Sequence, residues 1–295
     1  MEIRKIMIVG SGFMGSGIAQ VASQAGYNVL LHDIKAELVE KGIKSISEKL
    51  NDRVSKGKIG VTDLNSILSR ISGSDNINDA KNADFVIEAI FENIDAKRDV
   101  FRKLDDICRP EVIFASNTST IPIGLLATAV KRPDKFIGMH FFSPVPVMKL
   151  VEIVRGLKTS LITVEITECV ASKMGKEGVR VKDVPGFLVN RLNYALRCEA
   201  FNLLKEGVAS IQDIDKAAKL GLGHPMGPFE LCDFVGLDIA YNGIKAFWEN
   251  YGDIKWFPFK TLKELVDNGE LGRKTGKGWY DYTSGEKKPR TDMEI

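Results

Sequence analysis

A histidine and a glutamate lie on either side of a proline-rich turn in the segment His140–Glu152, HFFSPVPVMKLVE. Pro144 and Pro146 cannot donate to a sheet ladder, so they favour a turn between two strands. If those strands pair antiparallel about Pro146, His140 faces Glu152 with Cβ atoms about 5 Å apart. Such a carboxylate would orient the imidazole and stabilise its protonated form, as a general base near neutral pH requires. The alternative is a core histidine whose partner carboxylate is structural.

A glycine-rich turn near the amino terminus favours a dinucleotide site. A short apolar run at residues 6–9 is followed by G-S-G-F-M-G at 10–15 and then by a helical pattern. The next predicted strand, 28–31, leads into Asp33, about 20 positions beyond the glycines, as a dinucleotide-binding βαβ unit requires. Asp33 can accept hydrogen bonds from a ribose diol and would repel a 2′-phosphate, which favours NAD over NADP.

Each position of this turn has its own physical task. Gly10 makes the tight turn, Gly12 lets the backbone approach a pyrophosphate, and Gly15 allows close packing of the helix on the sheet. Phe13 and Met14 complete the predicted cofactor-binding turn.

The composition is typical of a cytoplasmic enzyme and disfavours other classes. The 295 residues suffice for two domains, and a net charge of +2 gives no basic field for nucleic acid. The four cysteines and three histidines are scattered, so we expect neither a metal site nor disulfides. No apolar run approaches the ~18 residues of a membrane span, and the chain opens almost directly in its first strand, so we expect neither membrane insertion nor a cleavable leader.

Strands and helices alternate along the first part of the chain. Beyond the first βαβ unit, we expect helices at 35–56, 96–107 and 160–176, a short antiparallel partner of the first of these at 63–69, and strands at 85–89, 112–115, 136–140 and 149–154. This alternation predicts an α/β fold with a Rossmann-like, doubly wound and mostly parallel sheet, which binds ligands beyond the carboxyl ends of its strands. Polar candidates at those ends are Glu92, Asn117, Ser119 and His140.

The composition changes at the break D-V-P-G, residues 183–186. Strand signals vanish here, and helices are predicted at 187–206, 211–220, 227–250 and 258–268. We therefore divide the chain into a dinucleotide-binding domain, 1–183, and an all-helical domain, 184–295, that closes on the substrate and forms a homodimer. Asn190 lies in the first of these helices, either as a residue of the cap region or as a hydrogen-bond donor to substrate.

Seven motifs together resemble the 3-hydroxyacyl-CoA dehydrogenase family, and the bacterial 3-hydroxybutyryl-CoA dehydrogenases most closely, from residue 3 to about 282. They are GSGFMGSGIAQ, FVIEAIFEN, ASNTST, GMHFFSPVPVMKLVE, VPGFLVNR, LGHPMGPFEL and LGRKTGKGWYDY. The resemblance implies an NAD-dependent enzyme that interconverts a 3-hydroxyacyl-CoA, 3-hydroxybutyryl-CoA in particular, and the 3-ketoacyl-CoA. It makes His140 the general base and Glu152 its orienting partner, and it places Ser119 and Asn190 at the reacting end of the substrate.

The resemblance also implies which residues bind the cofactor. Asp33 would bind the adenosine ribose, while Glu92, Lys97 and Ser119 would line the nicotinamide half. Asn117 and Ser143 are assigned to the same cofactor set. The family usually has Asn at position 143, and serine can still donate one hydrogen bond there but reaches less far.

Three other interpretations remain. The first is a dehydrogenase of a small hydroxy acid or sugar acid, such as the gulonate dehydrogenase relatives. Against it, Lys49, Arg53 and Lys56 recur at helical spacing and could bind the phosphates of CoA, although such a stripe can also be an ordinary solvated helix face. The second is a noncatalytic NAD-binding or structural protein, which the intact polar set disfavours. The third is a fragment of a multifunctional fatty-acid oxidation protein, which the amino-terminal strand and the lack of a hydratase segment disfavour.

Overall fold

The computed structural model describes residues 2–290 and 292. The chain divides into two compact units, Met1–Phe187 and Leu188–Ile295. Within the described residues, no helix is long and apolar enough to cross a membrane.

The first unit is built on an eight-stranded sheet, counted over residues 2–187. Its strands are β1 (Lys5–Val9), β2 (Asn28–His32), β3 (Ile71–Ser74), β4 (Phe85–Glu88), β5 (Ile113–Ser116), β6 (Phe136–Phe141), β7 (Leu150–Arg155) and β8 (Glu177–Lys182). They lie in the order β3-β2-β1-β4-β5-β6-β7-β8, and neighbours are parallel except for β6 with β7. From β1 the strand order runs one way through β2 and β3 and the other way through β4 and β5. The position between β1 and β4 is therefore a topological switch point, where α/β sheets bind ligands.

Helices cover both faces of this sheet. They are α1 (Phe13–Gln24), α2 (Ala36–Ser55), α3 (Val61–Ser69), α4 (Ile94–Ile107), α5 (Ile123–Ala127) and α6 (Leu161–Lys173), with 3-10 turns at Ile77–Asn82 and Pro133–Lys135. Along β1, Ile6 and Ile8 point into one apolar core, while Met7 and Val9 point into another on the opposite face. A strand buried on both faces reads as a continuous apolar run, and this run is what predicts β1 from the sequence.

The Rossmann-like fold class and the predicted helices of this unit are confirmed. Two strands were not predicted as separate elements, β3 with the sequence I-S-G-S and β8 with E-G-V-R-V-K. Both lie at the edges of the sheet and are mostly exposed or half-buried. An edge strand needs no apolar run, so neither strand has the hydrophobic signal of a central one.

The second unit is mainly helical. Its elements are α7 (Val189–Lys205), α8 (Ile211–Gly221), α9 (Pro228–Val235), α10 (Leu237–Tyr251), α11 (Lys260–Asp267), 3-10 turns at Ile254–Trp256 and Arg273–Thr275, and the short strands β9 (Tyr280–Asp281) and β10 (Lys288–Pro289). The prediction of one helix over 227–250 is wrong, because Gly236 has a φ of 111° and divides α9 from α10. The prediction that this unit has no strands is also wrong, since the two short strands β9 and β10 pair antiparallel.

A buried carboxylate holds the strand β9 in place. Both oxygens of Asp233 accept hydrogen bonds, from the backbone N–H groups of Trp279 and Tyr280 at 2.9 Å each and from the hydroxyl of Tyr282 at 3.1 Å. Burial, outweighing these hydrogen bonds, raises the pKa of Asp233 to about 6. Trp279 and Tyr280 of the motif LGRKTGKGWYDY thus belong to the core of the second unit.

Candidate active site

The hairpin β6–β7 brings His140 and Glu152 together. The two residues are directly opposite in the antiparallel register, which confirms the predicted pairing about Pro146. Nδ1 of His140 lies 2.6 Å from Oε2 of Glu152, and the two residues are 5 % and 0 % exposed. A carboxylate beside Nδ1 keeps a proton on that nitrogen. Nε2 is then the ring nitrogen that can take up and release a proton.

Aromatic rings hold the imidazole from the side. The ring centroid of His140 is 4.6 Å from that of Phe142 and 5.8 Å from that of Phe187. Phe187 is buried and has a φ of 51°, in the left-handed region that bulky residues rarely adopt. Strain of this kind costs about 1–3 kcal/mol and persists where the surroundings fix the conformation. Sequence reasoning missed Phe187; the only local signal is the proline–glycine pair before it.

A buried lysine fixes the turn between the two strands. Lys176 is 7 % exposed, and its ammonium donates hydrogen bonds to the carbonyl oxygens of Val145 and Met148, the latter at 2.8 Å. Burial lowers the pKa of Lys176. On the other side of the turn, a Cβ atom at Gly17 of α1 would lie only 3.0 Å from Cβ of Val145. The turn is therefore held by Lys176, the residue directly before β8, and by helix α1, which follows the glycine motif.

A buried ion pair lies where β4 ends. Nζ of Lys97 is 2.6 Å from Oε1 of Glu88 and 3.2 Å from Oε2 of Glu92, and Lys97 is 1 % exposed. The hydroxyl of Ser116 donates to the second oxygen of Glu88 at 2.6 Å. Lys97 thus connects the end of the sheet to Glu92. Glu88 was not among the predicted site residues.

Glu92 organises the loop that follows β5. Its Oε1 accepts hydrogen bonds from the hydroxyl of Thr118 at 2.5 Å, from Ser119 N–H at 2.9 Å and from Thr120 N–H at 3.0 Å. Burial acts to raise the pKa of Glu92, but the Thr118 hydrogen bond, the Lys97 charge and the loop N–H groups together hold it below its usual value. An ionised Glu92 therefore fixes the backbone at Ser119.

Asn117 and Ser143 flank the histidine strand. The side-chain oxygen of Asn117 accepts a hydrogen bond from the backbone N–H of Phe141 at 2.9 Å. The backbone N–H of Asn117 donates a hydrogen bond to the carbonyl oxygen of Glu88. Asn117 thereby joins the ends of β4, β5 and β6. Ser143 is exposed at the start of the turn, and a cis peptide bond joins it to Pro144.

The glycine turn has the geometry of a phosphate cradle. Gly10 has a φ of 103°, and a Cβ atom there would lie 2.6 Å from the carbonyl oxygen of Ala89. A Cβ atom at Gly15 would lie 1.7 Å from the carbonyl oxygen of Gly10, so only glycine lets α1 pack this closely. At Gly12, by contrast, nothing lies within 4 Å of the Cβ position, which leaves room beside the backbone at the start of α1.

A cleft of about 570 Å³ continues from this turn along the switch point. Its lining includes Gly12, Asp33, Asp75, Phe91 and Lys103. Oδ2 of Asp33 accepts hydrogen bonds from the N–H and the hydroxyl of Ser11, at 2.8 Å each. The open backbone at Gly12 and a carboxylate at the end of β2 fit the pyrophosphate and ribose of a dinucleotide.

Comparison with known proteins identifies the family. A family model of the NAD binding domain of 3-hydroxyacyl-CoA dehydrogenase matches residues 5–184, and a model of the C-terminal domain of the same family matches residues 186–282. The chain belongs to the 3-hydroxyacyl-CoA dehydrogenase family. The predicted family, the class of NAD-dependent oxidoreductase and the cofactor are thereby confirmed.

Three relatives named after 3-hydroxybutyryl-CoA resemble the chain over almost their full length. The probable 3-hydroxybutyryl-CoA dehydrogenase of Bacillus subtilis (strain 168) is 47% identical over 282 residues, which cover 96% of this chain and 98% of that protein. The 3-hydroxybutyryl-CoA dehydrogenase of Clostridioides difficile is 41% identical, over 94% of this chain and 99% of that protein. The crystal structure of (S)-3-hydroxybutyryl-CoA dehydrogenase from Ralstonia eutropha matches with a TM-score of 0.92 and 44% identity, over 96% of this chain and 100% of that one.

In this member of the 3-hydroxyacyl-CoA dehydrogenase family, a second cleft of about 770 Å³ lies beside α1, α2 and the proline turn. Lys49 and Arg53 line it, and so does Lys58, which the sequence did not single out. Lys56 is not among the lining residues, and its ammonium pairs with Asp52 at 2.7 Å. The structure therefore separates Lys56 from the other two basic residues of the predicted stripe.

Two further predicted residues have simple positions. Phe13, the fourth residue of the glycine turn, is 61% exposed, and Nζ of Lys49 lies 5.3 Å from the centroid of its ring. Asn190 is half-buried in the first turn of α7, within the helical unit.

Proposed function

We propose that the protein interconverts 3-hydroxybutyryl-CoA and acetoacetyl-CoA, with His140 as the proton carrier and Glu152 as its orienting partner. The 2.6 Å contact between two buried side chains at the carboxyl end of β6 carries this proposal. The names of the relatives in Bacillus subtilis and Clostridioides difficile support the short-chain substrate.

The proton transfer follows from the geometry of the pair. NAD, when bound, supplies the acceptor for the hydride that leaves C3 of the substrate. Nε2 of His140 takes the proton of the 3-hydroxyl group, and the carboxylate of Glu152 stabilises the positive ring. In the reverse direction the imidazolium returns the proton to the 3-keto oxygen. Positioned acid–base catalysis of this kind contributes roughly 10²–10⁴ in rate.

We propose that Ser119 hydrogen-bonds the reacting end of the substrate. Its backbone N–H is held by Glu92, so its hydroxyl lies on a loop with a fixed backbone. Glu92 and Lys97 would then support the nicotinamide side mainly by holding this loop, through the 3.2 Å contact between them. Asn190 is proposed as a further substrate contact on the family resemblance.

The substrate assignment is tested by steady-state kinetics with several substrates in parallel. We expect acetoacetyl-CoA with NADH to give a higher kcat/KM than longer 3-ketoacyl-CoA substrates, free acetoacetate, or NADPH. Faster turnover of free acetoacetate would favour a hydroxy-acid dehydrogenase. Binding of NADH without turnover of any of them would favour a noncatalytic protein.

Replacing Asp33 with alanine should relax the choice between NADH and NADPH. The ratio of kcat/KM values should move toward NADPH by roughly 10- to 100-fold, the scale of a hydrogen bond to a charged group. Ser11→Ala is the matched control, because it removes the hydroxyl bound to Asp33 and keeps the carboxylate. A shift in Ser11→Ala as large as that in Asp33→Ala would mean that loosening of the turn, rather than the charge, sets the preference.

Replacing Lys49 and Arg53 together with alanine should weaken binding of the CoA phosphates. KM for acetoacetyl-CoA should rise about ten-fold, since exposed ion pairs contribute on the order of 1 kcal/mol or less each. KM for an acetoacetyl-pantetheine thioester, which lacks the nucleotide, should change little. Lys56→Ala, at the residue directly after the same helix, is the control and should leave both values unchanged. Equal losses for both substrates would assign Lys49 and Arg53 to a solvated helix face.

We also propose that two chains associate through the helical unit. This unit carries several large exposed apolar side chains, including Leu192, Leu222, Phe234, Ile239 and Phe257. Exposed apolar surface of this kind is typical of subunit contacts, and twofold dimers are the commonest assembly. The mass of the protein in solution tests this proposal.

A further inference from the structure

A buried amide in α1 lacks a partner for its oxygen. Gln20 is 1% exposed, and within the described part of the chain its Oε1 accepts no hydrogen bond. Gln20 also lines the 770 Å³ cleft beside the proline turn. Buried side-chain oxygens are normally hydrogen-bonded, so an exception on the wall of a cleft points to a donor that a ligand supplies.

Part of the lining of this cleft is apolar. The apolar lining residues include Phe13, Val145, Pro146 and Val147. The carbonyl of Val145 already accepts a hydrogen bond from Lys176 and is itself an acceptor, so it cannot satisfy Oε1.

Charged residues complete the cleft on the side of α2. Lys49, Arg53 and Lys58 line it together with Glu48 and Asp52, which leaves one more positive than negative charge. The cleft thus combines apolar lining residues, the oxygen of Gln20, which has no partner among the described residues, and a small excess of positive charge. A complementary ligand is an elongated molecule with alkyl segments, an N–H donor within its length and an anionic end.

The pantetheine arm of an acyl-CoA has this chemistry. Its two secondary amides each present an N–H group, short alkyl segments separate them, and phosphates follow. We infer that Oε1 of Gln20 accepts a hydrogen bond from an amide N–H of the pantetheine arm, and that Gln20 selects thioesters that carry such an amide. This inference rests on the proposed function, because it takes an acyl-CoA as the ligand.

The test compares Gln20→Met with the wild type. Methionine has a similar length and no polar group at the position of Oε1. The substrates are acetoacetyl-CoA, the acetoacetyl thioester of N-acetylcysteamine, and an amide-free alkyl thioester of acetoacetate. We expect KM for acetoacetyl-CoA to rise about five- to ten-fold, the scale of one hydrogen bond, with little change in kcat. KM for the amide-free thioester should stay at the wild-type value.

Thermal unfolding without ligand supplies an independent readout. Removing a buried oxygen that has no partner should raise the Tm of Gln20→Met, whereas a structural glutamine would give a lower Tm on replacement. Gln24→Met makes the same chemical change on α1 at a residue that does not line the cleft, and it should leave every KM unchanged.

The failures of the two proposals differ. A wild-type enzyme without activity on acetoacetyl-CoA would overturn the proposed function and this inference with it. An active wild type would leave the proposed function standing, and the inference alone would fall if Gln20→Met raised KM equally for all three thioesters, left them all unchanged, or lowered the Tm.

Discussion

Replacing His140 with glutamine is expected to lower kcat by roughly 10² or more, the scale of losing a positioned acid–base group. Glutamine can still donate a hydrogen bond to Glu152, which lies 2.6 Å from the imidazole, so the hairpin should stay folded. Steady-state rates with acetoacetyl-CoA, NADH binding by fluorescence and thermal unfolding measure the three effects. A kcat close to wild type, with NADH binding retained, would remove His140 from the reaction.

Glu152→Gln is the matched variant for the other half of the pair. It keeps a hydrogen-bonding group at Nδ1 but removes the negative charge that stabilises the imidazolium. We expect a smaller loss of kcat than in His140→Gln. The pH limb of kcat/KM that reports the imidazole should move to lower pH, because the charged ring is less stabilised. An active Glu152→Gln enzyme with an unchanged limb would show that the two residues are not coupled.

Replacing Lys97 with methionine is expected to lower the free energy of unfolding by about 3–5 kcal/mol, the usual cost of leaving one member of a buried ion pair alone. Glu88 is 0% exposed and would lose the ammonium that lies 2.6 Å from its Oε1. Glu92 would lose the same charge, so the loop that carries Ser119 should also become less ordered. Urea unfolding at neutral pH measures the loss.

The pH dependence of this variant has a definite sign. Burial raises the pKa of Glu88 and outweighs the lowering effects of Lys97, Ser116 and the N–H of Ile90. A carboxyl with a raised folded-state pKa contributes most stability below its unfolded value, about 4.3, and loses it as pH rises through the folded value. Without Lys97 the folded-state pKa rises further. Lys97→Met should therefore regain stability, relative to wild type, as the pH is lowered from neutral toward 5.

Two controls accompany the Lys97 variant. The double variant Lys97→Met with Glu88→Gln removes both charges and should recover a large part of the loss. Lys103→Met changes a lysine on the same helix outside this ion pair and should cost little. A Lys97→Met protein as stable as wild type, or with the same pH dependence, would contradict the role of the buried pair.

The hairpin pair could be predicted because it depends on local sequence alone. Two prolines centre the turn, and strand periodicity then places His140 opposite Glu152, as the register shows. The glycine turn could also be predicted from local sequence, since Gly10 adopts a positive φ and Gly15 lies too close to the carbonyl oxygen of Gly10 for any side chain. The edge strand β3 could not be predicted from the sequence, because the segment I-S-G-S has the composition of a turn.

Other site residues depend on contacts between distant segments. Lys176 reaches a carbonyl 31 positions earlier in the chain, and no spacing rule connects the two. Gln20 lies in an apolar helix pattern, and only the structure shows that its oxygen accepts no hydrogen bond from the described residues and that it lines the cleft. Lys56, in contrast, is separated from Lys49 and Arg53 by a local contact. Its ammonium pairs with Asp52, one helical turn away. Helical spacing predicts a shared face but does not tell which charges are already paired.

The reversed direction of β7 also has a consequence for the order of assembly. In the sheet as described, β6 and β7 are the antiparallel neighbours, and the contact of His140 with Glu152 closes a loop of 12 positions. The parallel contact of Ser116 with Glu88 spans 28 positions, and Ser11 with Asp33 spans 22. Because the entropy lost on loop closure grows with loop length, the His140–Glu152 pair meets the smallest closure penalty of these three. We therefore expect it to form with its own hairpin, ahead of the segments that must cross the sheet to build the cofactor cleft.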